Sequence, residues 1–586
     1  MLGYICKYAP VEVFTSMGVE MKRIEPDVTS FTQADIKMHP NICSFAKGVL
    51  EDVLANDYEG VILTTCCDSI RRLYDVLREE LPGRFVYMLD TPRTTKEAGV
   101  ALYETRIRNM IKAYEEFSGK SFNEDDLARL LEPMTKDQTI SIKKDRLNIG
   151  LIGARANETI VDILSVKGAN IAFDLTCTGI MRKYLLEPGH VLEGYTRGLL
   201  SQFPCMRMEE AAGRDKFIDR FADSVDGVIY HTVQFCDNYS YEYAWLKKTV
   251  KSPMLLLETD YTRQSRGQIL TRIEAFLESL RPAAPERSAG GRSHADGIHA
   301  NRTYVGEVTA GGGSSQEAKN EISTGRNSKM YVMGIDSGST STNAVIMDTD
   351  KKIIASTVVR TGAKSADSAA RALEEVLRAA GLSRGDLSYI VSTGYGRVSI
   401  DFADENVTEI SCHGRGAHYF NPSIRTILDI GGQDSKAIHL NSSGEVTDFV
   451  MNDKCAAGTG RFLEMIARTL EIDISELGPA ALNSTEEIEI TSMCSVFAES
   501  EVISLIANNK EKPDIAWGVC KAIANKAYSL LKRVGMEKEF MMTGGVAKNP
   551  GVVKAVEERI GASLYICEEP EIVGAAGAAL YAVDKL

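Results

Sequence analysis

The chain has 586 residues, a formal net charge of −14, 44% hydrophobic residues and 25% charged residues. That is the balance of an ordinary globular protein long enough for three or four compact units. The acidic surplus argues against nucleic acid or an anionic membrane as the main partner. With no apolar run of transmembrane length and no signal-peptide core at Met1 to Lys7, a cytoplasmic, thiol-reducing setting is expected.

Twelve cysteines in such a setting point to metal, cluster or redox work before disulfides. Residues 1 to about 282 alternate short apolar runs with amphipathic helices, an α/β signature. Gly60 to Thr65 reads as a buried strand running into Cys66-Cys67-Asp68 and a helix from Ser69 to Leu81, stopped by Pro82-Gly83. Val228 to Val233 repeats the theme, running into Phe235-Cys236-Asp237 and a helix carrying Tyr241 and Trp245. Two Rossmann-like α/β halves follow from this weak repeat, with Asp68 and Asp237 as expected N-caps. A third strand, Asn170 to Leu175, ends at Thr176-Cys177. In open α/β sheets ligands sit beyond the carboxyl ends of the strands, where Cys67, Cys177 and Cys236 would lie. Cys43 and Cys205 fall in segments able to cover the same crevice. A plain α/β domain with small core cysteines is the competing reading.

Residues 283–329 are rich in Gly, Ser, Ala and Arg, with little apolar periodicity and no cysteine. They read as a flexible linker between a domain at 1–282 and another at 330–586.

The second domain opens with a strand at Tyr331 to Asp336, a small-residue hairpin through Gly338, Ser339, Thr340 and Ser341, and a return strand at Asn343 to Met347. Small residues let backbone N–H groups and hydroxyls approach phosphate oxygens, and Asp336 can hold Mg²⁺. A second turn of this kind is Asp429-Ile430-Gly431-Gly432-Gln433-Asp434, and a third glycine element is Thr543-Gly544-Gly545. One such turn alone is weak; three in this order, each joined to a strand, are a stronger signal.

Between them lie Cys455, in Asn452-Asp453-Lys454-Cys455-Ala456-Ala457-Gly458-Thr459-Gly460, and Cys494, in Ser492-Met493-Cys494-Ser495. Each precedes a helical pattern: Phe462, Ile466 and Leu470 after the first, Val496, Phe497, Val502, Ile503 and Ile506 after the second. A thiolate beside a helix N-terminus is favoured. Two per subunit are half of the set that a [4Fe–4S] cluster needs, so a homodimer could complete it across its two-fold axis. Two structural core cysteines are the plainer alternative. Cys412, Cys520 and Cys567 have no such setting and read as core thiols.

Residues 331–586 resemble the ATPase activators of 2-hydroxyacyl-CoA dehydratases and benzoyl-CoA reductases. The resemblance rests on Gly334 to Thr340, Ser392-Thr393-Gly394-Tyr395-Gly396-Arg397, Asp429 to Asp434, Asn452 to Gly460 and Thr543 to Gly545. It implies a two-lobed ATPase of the actin, Hsp70 and sugar-kinase type. Asp336, Asp429 and Gln433 would then be catalytic. Gly338, Ser339, Thr340, Ser341, Gly431, Gly432, Gly544 and Gly545 would bind ATP and Mg²⁺, and Cys455 and Cys494 would hold one [4Fe–4S] cluster at a dimer interface. Residues 1–282 resemble the cluster-bearing subunits such activators reduce, and also look like the related double-cubane cluster proteins. The carriers are Cys43, Cys66-Cys67-Asp68, Phe235-Cys236-Asp237 and Glu258-Thr259-Asp260-Tyr261. Cys43, Cys67 and Cys236 are the first expected ligands there. Cys66, Cys177 and Cys205 leave room for a second cluster or a double cubane.

The function implied is ATP-dependent transfer of low-potential electrons from the dimer-bridging cluster to an iron–sulfur centre. The donor would be a ferredoxin or flavodoxin, and the acceptor the N-terminal half or a separate dehydratase or reductase subunit. Two other readings stay open: a small-molecule kinase on the same fold with structural cysteines, and a nucleotide-dependent regulatory module.

Overall fold

The computed structural model of the chain describes residues 1–131, 140–155, 158–179, 190–209, 214, 216–218, 221–281, 330–453, 456–491 and 495–586. The linker expected at 283–329, Cys455 and Cys494 lie outside the described residues.

The N-terminal half holds two four-stranded sheets. The first contains β1 (Leu2–Tyr4), β2 (Met21–Arg23), β3 (Gly60–Thr64) and β4 (Phe85–Leu89), in the order β2-β1-β3-β4. The second contains β5 (Asn148–Gly153), β6 (Asn170–Thr176), β7 (Gly227–Val233) and β8 (Met254–Thr259), in the order β6-β5-β7-β8. Every pairing in both is parallel. Parallel strands need crossovers, and the helices that supply them cover the sheet faces. This is why β3 and β7 are buried along their whole length and read as continuous apolar runs.

The C-terminal half is a duplication. Its first sheet is built from β9 (Tyr331–Ser337), β10 (Ser341–Asp348), β11 (Ile353–Arg360), β12 (Leu387–Thr393) and β13 (Glu405–Asn406), ordered β11-β10-β9-β12-β13. Its second has β14 (Thr426–Ile430), β15 (Ser435–Leu440), β16 (Val446–Asn452), β17 (Phe540–Thr543) and β18 (Leu564–Tyr565), ordered β16-β15-β14-β17-β18. In each the first three strands pair antiparallel and the last two join in parallel. Two such sheets facing each other are the actin and sugar-kinase-like ATPase fold. The Glu409–Phe420 and Val573–Val583 helices pack against each other, and the latter lies on β9.

The two halves share a core. Ile269, Ile273 and Phe276, from the Arg266–Ser279 helix, belong to one apolar cluster with Ile410, Ala417 and Met451. Cys412, Cys520 and Cys567 are buried, as expected of core thiols. One local expectation is corrected. Asp68 and Asp237 are the first helical residues, and the N-cap positions before them are held by Cys67 and Cys236. The strand-end turns place the thiols, not the carboxylates, at those helix starts. The Ser495–Ala507 helix buries Ala498 and Val502 but leaves Phe497 68% and Ile503 53% exposed, and Ile506 is exposed as well.

Candidate functional site

A cleft of about 430 Å³ opens between the two C-terminal sheets. The β9–β10 hairpin brings Gly338, Ser339, Thr340 and Ser341 to one wall, and the equivalent β14–β15 hairpin brings Gly431 and Gly432 to the other. Gly544 and Gly545, after β17, close a third side. The hairpins touch so closely that a Cβ on Gly432 would fall 1.9 Å from Thr340 Oγ1. Gly338 N and Gly431 N close their own hairpins, on Ser341 O and Asp434 O at 3.0 Å each, and the small side chains let an anion approach the remaining backbone.

At its floor Asp336 and Asp429, the last acidic residues of the two central strands, are both buried. Asp429 Oδ1 accepts from Thr543 Oγ1 at 2.8 Å and lies 3.3 Å from His413 Nε2. Asp429 Oδ2 accepts from Lys436 Nζ at 3.1 Å. Lys436 also meets Asp434 at 2.6 Å and Glu409 at 3.7 Å. Burial works against charge on His413, but Asp429 and Asp336 more than offset it and raise its pKa to about 9. Burial pushes Glu409 up to about 7, against the pull of Lys436. Burial also raises Asp336, while His413 and Lys436 hold Asp429 below the usual carboxylate range against burial. The cleft thus pairs a committed anion with a carboxyl that titrates near neutrality, the division of labour that acid–base chemistry uses. Oxygen donors around a phosphate-sized space also suit Mg²⁺.

Gln433 is exposed in the β14–β15 hairpin, outside the cleft lining. Sequence reasoning missed Glu409, His413 and Lys436. Glu409 and His413 stand one helical turn apart on one face, a spacing that was available as a signal.

The N-terminal half brings its cysteines to the carboxyl ends of the parallel strands. Cys43, Cys67 and Cys236 each take the N-cap position of a helix: Ser44–Ala55, Asp68–Glu80 and Asp237–Thr249. Burial, and Cys236 beside it, push Cys43 up to about 11. Cys66 donates to Cys67 and holds that thiol below its ordinary value. Cys177 Sγ lies 2.8 Å from Tyr239 Oη, with Cys205 at 3.7 Å from the same oxygen. Cys177 in turn donates to Cys205, and this bond, with Arg207 and Lys7 nearby, favours a thiolate on Cys205. Cys6, passed over in reading the sequence, follows β1 and sits near Cys66 and Cys205. A short apolar run leading into a cysteine was its signal too. Among the described residues no three ligating side chains close on one metal ion. Cys43, Cys67 and Cys236 share one setting, the start of a helix, where a thiolate is favoured.

The duplicated sheets and their cleft define a nucleotide-binding ATPase. The profile of the BadF/BadG/BcrA/BcrD ATPase family matches residues 333–582. The 2-hydroxyisocaproyl-CoA dehydratase activator of Clostridioides difficile is 44% identical over 256 residues, 44% of this chain and 96% of that protein. The activator of lactoyl-CoA dehydratase of Anaerotignum propionicum is 48% identical over 255 residues, 44% of this chain and 98% of that one. The chain belongs, through its C-terminal half, to the BadF/BadG/BcrA/BcrD ATPase family. The solved structure of the Clostridium difficile activator with bound ADPNP covers 44% of this chain and 95% of its own, at 44% identity and a TM-score of 0.43. The profile of the 2-hydroxyglutaryl-CoA dehydratase D-component matches residues 6–140 and 130–280. The order along the chain is therefore dehydratase-like sequence first and ATPase second. For the first half the expectation was a dehydratase subunit or a double-cubane protein. The profile that matches there is that of the dehydratase D-component. Among the described residues no helix is long and apolar enough to cross a membrane.

Proposed function

We propose that the chain is an ATP-driven electron-transfer protein, divided into a dehydratase-like domain at 1–282, a linker at 283–329 and an activator ATPase at 330–586. The ATPase drives low-potential electrons toward the N-terminal half, or toward a separate dehydratase or reductase subunit acting on a CoA thioester. A ferredoxin- or flavodoxin-type protein is the donor. One observation carries the reading: a single chain joins a nucleotide cleft to a set of thiols gathered at helix starts.

In this reading the N–H groups of Ser339, Thr340 and Gly432 cradle the phosphates, with Gly338, Ser341 and Gly431 shaping the two hairpins, and Gly544 and Gly545 border the adenosine. Asp336 and Asp429 hold Mg²⁺. Glu409, with a pKa of about 7, takes the proton of the attacking water. Gln433 reaches the phosphates only once its hairpin closes on nucleotide. Cys455 and Cys494 of two copies would hold a [4Fe–4S] cluster across a two-fold axis, beside the apolar Phe497, Ile503 and Ile506. Cys43, Cys67 and Cys236 would hold another, with Cys66, Cys177 and Cys205 around it. When bound, such a cluster supplies a one-electron carrier whose potential follows hydrogen bonding, charge and exposure. The chain's own contribution is movement. Gly460 N donates to Gly431 O and Arg461 N to Gly432 O, each at 2.9 Å. Closure of that hairpin on nucleotide therefore pulls the helix that follows Cys455. Nearly complete switching needs about 5.5 kcal/mol of differential nucleotide affinity.

The test is oxygen-free purification of the Cys455→Ala chain. It should lose iron and visible absorbance attributable to that cluster while still binding ATP. Unchanged iron at that site would end the assignment. An iron-free wild type that phosphorylates a small molecule would favour the kinase alternative.

A further inference from the structure

We propose that Glu274 and Glu278, in the dehydratase-like half, are positioning residues for the nucleotide cleft, so that the N-terminal half sets nucleotide turnover in cis. The inference rests on the reading of the cleft as an ATPase site.

Both lie on the Arg266–Ser279 helix. Glu278 Oε1 accepts from Thr408 N at 3.2 Å, and Glu278 Oε2 accepts from the hydroxyls of Thr408 and Ser411. Thr408 is the N-cap of the Glu409–Phe420 helix, which makes no capping bond with its own side chain. A helix start leaves N–H groups unsatisfied and favours negative charge. The carboxylate meeting that need comes from more than a hundred residues upstream. The very next residue is Glu409, and His413 follows one turn later, both lining the cleft.

Glu274 acts on the opposite wall. It pairs with Arg397, whose Nη1 donates to Gly394 O at 3.1 Å. Gly394 has φ +83°, and a Cβ there would fall 2.4 Å from Asp336 Oδ1. Tyr395, the next residue, lines the cleft. A third tie, Arg272 Nη2 to Asp453 Oδ1 at 2.8 Å, joins the same helix to the end of the β16 segment. Burial of Ile269, Ile273 and Phe276 against Ile410 and Ala417 makes the contact a packed one. Any shift of this helix therefore moves the carriers of Glu409, His413 and Asp336 together.

The experiment measures ATP hydrolysis by the full chain, wild type against E278A, E278Q and E274A, with melting temperature and iron content as folding controls. E278A and E274A should lower kcat roughly five- to tenfold with KM for ATP nearly unchanged. E278Q, which keeps an acceptor for Thr408 N, should recover most of the loss. Wild-type kcat and KM in both E278A and E274A would overturn the inference, as would a kcat loss in E278Q equal to that in E278A. Should E278A fail to fold, wild-type kcat in E274A would overturn it, and a lowered kcat in E274A beside a nearly intact E278Q would uphold it. A wild type that binds ATP without hydrolysing it would instead remove the ATPase reading. The variants' ATP affinities would then decide the coupling, and values equal to wild type would reject it.

Discussion

His413 Nε2 lies 3.3 Å from Asp429 Oδ1, joining a helix of one lobe to the central strand of the other beneath the nucleotide cleft. The imidazole titrates near 9 rather than near 6.5 because two carboxylates face it. A raised folded-state pKa lends stability that is whole below about pH 6.5 and is lost as pH climbs through about 9. The melting temperature of wild type should therefore exceed that of His413→Ala most at about pH 6, and the gap should narrow by about pH 9.5. A gap independent of pH, measured by scanning calorimetry, would rule the charged pair out.

Lys436 is the cation that three buried carboxylates share, with Asp434 at 2.6 Å, Asp429 at 3.1 Å and Glu409 at 3.7 Å. Replacing it by methionine leaves buried like charges uncompensated. Lys436→Met should cost about 3–5 kcal/mol in denaturant unfolding. A loss under about 1 kcal/mol would mean that the carboxylates are protonated or wet.

Gly394 combines a left-handed backbone with direct contact on Asp336. Gly394→Ala should destabilise the protein by at least about 1–2 kcal/mol and depress ATP hydrolysis, because the added methyl displaces the Asp336 carboxyl. Calorimetry and a phosphate-release assay check both. Retained hydrolysis would show that Asp336 can shift without consequence.

Cys67 and Cys520 offer a paired comparison. Cys67 caps a helix beside Cys66, Cys43 and Cys236, whereas Cys520 is buried in the Lys512–Val534 helix among apolar residues. In oxygen-free preparations Cys67→Ser should lose iron and sulfide, and Cys520→Ser should keep both. Equal retention would remove the N-terminal cluster.

Phe497 and Ile503 stand exposed on the helix after Cys494. Changing both to glutamate should turn a dimer into a monomer in analytical ultracentrifugation. A wild type that sediments as a monomer at micromolar concentration would refute the shared interface.

The strands and glycine hairpins were readable in the sequence because each is a local event. Val61, Ile62 and Leu63 form a continuous apolar run, and Gly431-Gly432 follows one such run as a turn signal. What escaped needed the third dimension. Lys436 is the second residue of β15, and only folding sets it against Glu409, 27 positions earlier. Phe497 and Ile503 show helical spacing, which reports periodicity and not which face is covered. Cys6 was passed over because its strand is only three residues long. The tether at Glu278 was invisible for a different reason: a glutamate near the end of an amphipathic helix is, in sequence, an ordinary surface residue.

The seam where Phe276 and Ile410 meet has a practical corollary. Severed within 282–329, the polypeptide would yield two fragments, each baring an oily scar in place of its former neighbour. Such pieces should clump or recombine rather than float apart, because the surfaces they bare already fit each other.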